Sequence, residues 1–325
     1  MRGSAVVMLV LLGFGSVAGA TTQVHYVMGT FLRVTVDDEV APGIFDACFA
    51  RAHALDRTFS RYDATSELVR VNAAGGGAVS DMLRVGLAQA RTLGRATGGT
   101  FDVSAGAVTA LWRVTAPPTA AAIAAARRSV GGVAVNGDRI VLEAGTLLDF
   151  DGFAKGVAVD ACVDALRAAG VTRAFVSFGE SSLYAIGAPR GARAWVIDVR
   201  GPTPDVAVAR LRLRDVGAAV SAVFGGAGRG TAGQRAHIVD PRTGRPLAID
   251  AASVVVAPRA ADAEAYAKAV LVRGDRGVVA VERHAGILAA RILRNRLDVG
   301  RAMRAAGALQ ALARPRWIGG EVVLR

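Results

Sequence analysis

Leu148-Asp149-Phe150-Asp151-Gly152-Phe153-Ala154-Lys155-Gly156 joins a strand-like run to a helical one through a glycine turn. Upstream, residues 139–142 and 146–150 have the pattern of a hairpin, and downstream residues 156–169 have helical spacing that stops at Gly170. The junction sets carboxylates, a glycine and an ammonium at a helix start. A helix N-terminus offers unpaired N–H groups and a positive dipole end, and glycine lets phosphate oxygens approach the backbone. The same pattern also serves as a plain helix cap. The segment alone leaves both readings open.

Working outward, residues 24–36 alternate as a strand pair around a break at Met28-Gly29-Thr30. Helical spacing follows over 44–57, 81–95 and 119–129, with a polar loop carrying a short helical piece over 60–72. After the junction come strands over 174–178, 183–186, 194–199, 206–213 and 253–256, then a helix over 261–272. Strands occur in runs instead of alternating strictly with helices, which predicts an α+β fold.

The first twenty residues have the form of an export signal: Arg2, an apolar stretch, and Ala18-Gly19-Ala20 before a polar Thr21-Thr22-Gln23. The apolar run is short for a retained anchor, the alternative reading, and no cysteine stands at the cleavage point for a lipid. The expectation is a soluble exported protein, periplasmic or outside the cell. A net charge of +12 raises nucleic-acid binding, but the arginines are scattered and aromatics are only 6% of the chain. That excludes a clustered phosphate-backbone footprint and leaves a field suited to polyanionic small ligands and acidic partners. Cys48 and Cys162 have no metal-type spacing; they fit two buried thiols or one disulfide in an oxidising compartment.

Among 39 Lys+Arg only Lys155 and Lys268 are lysine, which suggests sites where a compact point charge works and a planar fork does not. His237-Ile238-Val239-Asp240-Pro241-Arg242-Thr243-Gly244-Arg245-Pro246 is the densest polar cluster. Its histidine can act as a general base or simply satisfy backbone groups in a turn.

With these segments in place the chain resembles the ApbE family of FAD:protein FMN transferases. The ordered matches are Met28-Gly29-Thr30; Phe59-Ser60-Arg61-Tyr62 with Ser66-Glu67 and Asn72; Gly98-Gly99-Thr100-Phe101-Asp102 with Leu111-Trp112; residues 149–160; Ser221; residues 237–246; and the helix 263–274. The resemblance implies a two-lobed, T-fold-related α+β domain over residues 21–325 with FAD in a central cleft. It places Met28, Tyr62, Thr100, Phe101, Asp102, Asp149, Lys155 and Ile238 at FAD. Tyr62 offers a ring face, Asp149 can accept from adenosine hydroxyls, and Lys155 can neutralise the pyrophosphate.

The implied reaction moves FMN from FAD onto a Thr or Ser hydroxyl of an exported acceptor flavoprotein, with AMP leaving. His237 is the candidate base, and Lys155 and Lys268 face the phosphates. No nucleic acid is expected, and contact with a membrane comes only through the acceptor. The alternatives are an FAD pyrophosphatase giving FMN and AMP, and a non-catalytic FAD-binding protein. The family commonly uses Mg²⁺, held by a carbonyl at Gly152 together with an aspartate and a threonine on the later helix. Here those two positions carry Glu264 and Lys268: Glu264 is still an oxygen ligand and stands as the candidate metal ligand or the partner of Lys268, while Lys268, four residues on and on the same helical face, is no magnesium ligand but offers an ammonium in partial place of the cation's charge. Two further departures are Ser177-Phe178-Gly179-Glu180, where the family has a Gly-Gly-Asp turn, and Val220 and Ala222 around Ser221.

Overall fold

The structure is a computed structural model that describes residues 19–40, 43–114, 116–201, 206–223, 238–293 and 296–312, with the backbone of Arg316–Trp317, Gly320–Glu321 and Val323–Leu324. The signal reading at 1–20 falls mostly outside the described residues; Gly19 and Ala20 precede the first strand. No helix among the described residues is long and apolar enough to cross a membrane.

The strand pair at the start of the chain forms Thr21–Val27 and Thr30–Val36, closed by a two-residue turn in which Met28 and Gly29 both have positive φ. This is the turn geometry that matches strand twist in a tight hairpin. The hairpin opens a nine-stranded sheet that continues through Ala174–Phe178, Ser182–Ile186, Val216–Val223, Ala251–Ala257, Leu288–Leu293, Arg296–Val299 and Val323–Leu324. Neighbours are antiparallel except the last pair.

Two apolar cores lie on the two faces of this sheet. On one face the helices Ile44–Phe59, Ala154–Ala168 and Ala260–Arg273 bury Leu32, Val34, Phe59, Phe150 and Val255. On the other a three-stranded sheet of Leu309–Ala311, Ala207–Leu213 and Trp195–Arg200 covers Phe175, Leu183 and Val254. Burying each of the large side chains is worth about 2–3 kcal/mol. Runs of antiparallel strands with helices gathered on one face make the chain α+β, as its pattern predicts.

The helix after the glycine turn begins at Ala154, two residues before the predicted start, so Lys155 lies in its first turn. The predicted hairpin of 139–142 with 146–150 does not form. Arg139–Leu142 pairs with Gly76–Ala78 and Val133–Asn136, and residues 146–150 run as an irregular segment fixed by an Ala105–Leu147 bridge. The central strand Val216–Val223 has no counterpart in the sequence pattern. Its Gly217, Ala218 and Ala219 carry little β preference, but a Cβ on Gly217 would meet the Ala260 backbone nitrogen at 2.5 Å, so packing demands the small residue. Cys48 and Cys162 are joined in a disulfide that ties the first helix to the one carrying Lys155.

Candidate active site

Two helices deliver the site. The Ala154–Ala168 helix crosses Ala260–Arg273 at Gly156, where an added Cβ would lie 2.7 Å from Ala261 Cα. Asp160, one turn on, receives the amides of Ala260 and Ala261 at 2.8 and 3.0 Å and so caps the second helix. Glycine and the cap together bring Lys155 beside Glu264 and Lys268.

Lys155 Nζ donates to Ser181 Oγ at 2.6 Å, in the turn that follows the Ala174–Phe178 strand. A Cβ on Gly179 would sit 3.6 Å from that Nζ, in ordinary contact, and 3.0 Å from Thr30 Cγ2, so it is against Thr30 that the bare glycine relieves crowding. Burial pushes the Lys155 ammonium below the ordinary lysine range; Glu264 opposes the shift and Lys268 adds to it. Glu264 is 4% exposed. Its Oε1 accepts from the Ser182 hydroxyl and its Oε2 pairs with Lys268 one turn later, while Lys268 Nζ also donates to the Glu264 carbonyl at 3.2 Å. Burial favours the neutral acid, but the Lys268 and Lys155 ammoniums outweigh it and hold Glu264 below the usual carboxylate range.

Next to this cluster is a second, more open one. Asp149 accepts from Thr109 Oγ1 and Arg113 Nη2, both at 2.7 Å, and from the Asp151 amide at 3.0 Å. Asp151 takes the Tyr62 hydroxyl at 3.1 Å and pairs with Arg61, whose guanidinium lies 3.8 Å over the Tyr62 ring. Burial and the neighbouring Asp149 charge push Asp151 above the ordinary carboxylate range, against the two arginines. The Arg61–Asp151 and Arg113–Asp151 pairs are partly exposed and hold together weakly, while the Arg113–Asp149 pair is nearly buried on its carboxylate side.

Of the other predicted contacts, Met28 is half-buried in its hairpin turn, with its amide on Asp56 Oδ2 at 3.2 Å. Thr100 and Phe101 are buried: the hydroxyl is on the Thr97 carbonyl at 2.9 Å and the ring is 5.5 Å from Phe153. Asp102 takes the amide and hydroxyl of Ser104 at 2.8 and 2.6 Å. The Asp149 amide donates to Val103 at 2.7 Å, so this loop is fastened to the acidic cluster. Ile238 packs with Val223, Ala251 and Leu271, and the turn beyond it is held by Trp112 Nε1 on the Gly244 carbonyl at 2.8 Å. His237 lies outside the described residues. Ser221 pairs with Ser253 inside the sheet.

The sequence model of the ApbE family matches residues 28–292. The chain belongs to the ApbE family. FAD:protein FMN transferases of Klebsiella pneumoniae (strain 342) and Vibrio cholerae are 26% and 27% identical to it. The first match covers 80% of this chain and 80% of the relative, the second 87% and 91%. In structure it is similar to the flavin transferase ApbE of Vibrio cholerae (TM-score 0.76, 22% identity, 88% of this chain and 99% of that one). It is also similar to the ApbE protein of Thermotoga maritima (TM-score 0.78, 23% identity, 88% and 98%).

Against the ApbE pattern, the magnesium position tests poorly. Mg²⁺ requires near-octahedral oxygen ligation. Here Lys268 Cε would lie 2.8 Å from a Cβ on Gly152, and both Glu264 carboxylate oxygens already have partners. Among the described residues no group of three or more His, Cys, Asp or Glu is placed to hold a metal ion. The residues present do not fit the cation. Ser181, Ser182, Arg113 and the capping role of Asp160 carry no local signal in the sequence. Their partners are 26, 82, 36 and about 100 residues away, a relationship no local spacing carries.

Proposed function

We propose that this protein is an FAD:protein FMN transferase. The acceptor's Thr or Ser hydroxyl attacks the FMN-side phosphorus of FAD, and AMP leaves. The observation that carries the reading is the convergence of the chain's two lysines in an ApbE-family chain: Lys155 lies in the first turn of its helix, and the Lys268 side chain reaches from a second helix to Gly152 just before that turn. An ammonium pair and a helix N-terminus are the elements that bind and polarise a pyrophosphate, and positioning with charge neutralisation dominates phosphoryl transfer.

In this reading FAD lies between the acidic cluster and the lysines. The exposed Tyr62 ring offers a stacking face, and Arg61 and Arg113 exchange their carboxylates for ligand oxygens. Asp149 binds adenosine hydroxyls only by giving up Thr109 or Arg113. The buried Thr100 and Phe101 shape the loop from beneath. His237 is the base for the acceptor hydroxyl, and no step is assigned to Mg²⁺.

The acceptor is an exported flavoprotein, and residues 1–20 are a signal removed from a single domain over 21–325. The Cys48–Cys162 pairing supports an oxidising compartment such as the periplasm. The test is chromatographic: AMP should accumulate from FAD only when an acceptor domain is added. AMP and free FMN formed without acceptor would select hydrolysis, and intact FAD in both cases would select a binding protein.

A further inference from the structure

We infer that Lys268 is the resident cation of this site, occupying with its ammonium the position a divalent metal would need, and that FAD binding and transfer here are metal-independent. The inference rests on the transferase reading and deepens it.

The geometry is one of occupation. Lys268 reaches back along its helix and pairs with Glu264 Oε2 and the Glu264 carbonyl, and its methylene end lies against the open face of Gly152, with Nζ 3.8 Å from where a Cβ would be. An ammonium has three donors, and among the described residues Glu264 engages two, which leaves one N–H for a ligand oxygen. Glu264 in turn is fixed by Ser182 and cannot swing to a second cation without leaving that hydroxyl. A divalent ion brought to Gly152 would meet an ammonium in contact range and a carboxylate oxygen already ion-paired with that ammonium.

The charge balance also favours it. Lys155, Lys268 and Glu264 sum to one positive charge, supplemented by the helix N-terminus, opposite a pyrophosphate. In the reaction the acceptor oxygen bonds to the FMN-side phosphorus and the bond from that phosphorus to the bridging oxygen breaks. AMP leaves with the bridging oxygen and its electron pair, and the hydroxyl proton passes to the base. Lys268 takes no part in the proton transfer and neutralises the charge that builds on the phosphates, so no co-reactant is needed.

The test measures FAD affinity of the purified protein by fluorescence, in chelator and in millimolar Mg²⁺, for wild type and Lys268→Thr. Wild type should bind FAD equally in both within about twofold, while the variant should lose about tenfold in chelator and recover in Mg²⁺. Wild type binding about tenfold tighter with Mg²⁺, or the variant matching wild type in chelator, overturns the inference and leaves the transferase reading standing. Absence of FAD binding by wild type in both buffers removes the reading itself and the inference with it. The wild-type arm decides even if the variant fails to fold.

Discussion

Lys268 lies across Gly152: a Cβ added to that glycine would come within 2.8 Å of Lys268 Cε, although the two residues are on different elements. The contact is with the far end of a flexible side chain and not with backbone. Gly152→Ala should therefore fold with a loss under about 1 kcal/mol, yet displace the ammonium and slow FMN transfer at least about tenfold. Thermal unfolding and transfer rate measured on the same preparation check this; an unchanged rate would separate Lys268 from the phosphates.

Gly156 is the opposite case, because its added Cβ would meet the Ala261 backbone at 2.7 Å and the Ala260 carbonyl at 2.9 Å. Backbone cannot yield without moving the helices apart. Gly156→Ala should cost about 1–3 kcal/mol and also weaken FAD binding, since it moves Lys155 away from Lys268. Denaturant midpoints and FAD titration read the two effects, and a variant that is destabilised with undiminished FAD affinity would contradict the coupling.

Asp160 carries a pH prediction. Burial lifts its pKa to about 6 even though two backbone amides and Arg259 favour the charged form. The folded protein thus holds this proton more tightly than the unfolded chain. Its contribution to stability is full below about pH 4 and is lost as pH rises to about 6, about 3 kcal/mol in all. The stability difference between wild type and Asp160→Asn should fall across that window by up to that amount. Unfolding titrations at both ends measure it, and a constant difference would refute the shifted pKa.

The disulfide closes a separation of 114 residues between two helices, one of which bears Lys155. Its reduction should lower stability by about 3–5 kcal/mol. Non-reducing mass spectrometry and melting with and without reductant check both the bond and its effect; free thiols in protein purified without reductant would count against the pairing.

Much of the fold and part of the site were legible in the sequence. The Met28-Gly29 turn, the Asp81–Ala96 helix and the Ala174–Phe178 strand follow their local patterns closely, because turn chemistry and periodicity act over a few residues. The two lysines stood out against an arginine background. What stayed hidden depends on tertiary contact. Val216–Val223 is a strand because small residues let Ala260 pack on it, and Asp160 is a cap for a helix a hundred residues away. Likewise the sequence placed Glu264 and Lys268 on one helical face, but only the crossing at Gly156 sets them against Lys155.

The most direct measurement is the intact mass of an exported flavoprotein acceptor after incubation with this protein and FAD in chelator. The account predicts a gain equal to one FMN moiety on a Thr or Ser, with equimolar AMP. An acceptor of unchanged mass, with FAD intact and bound, would contradict it.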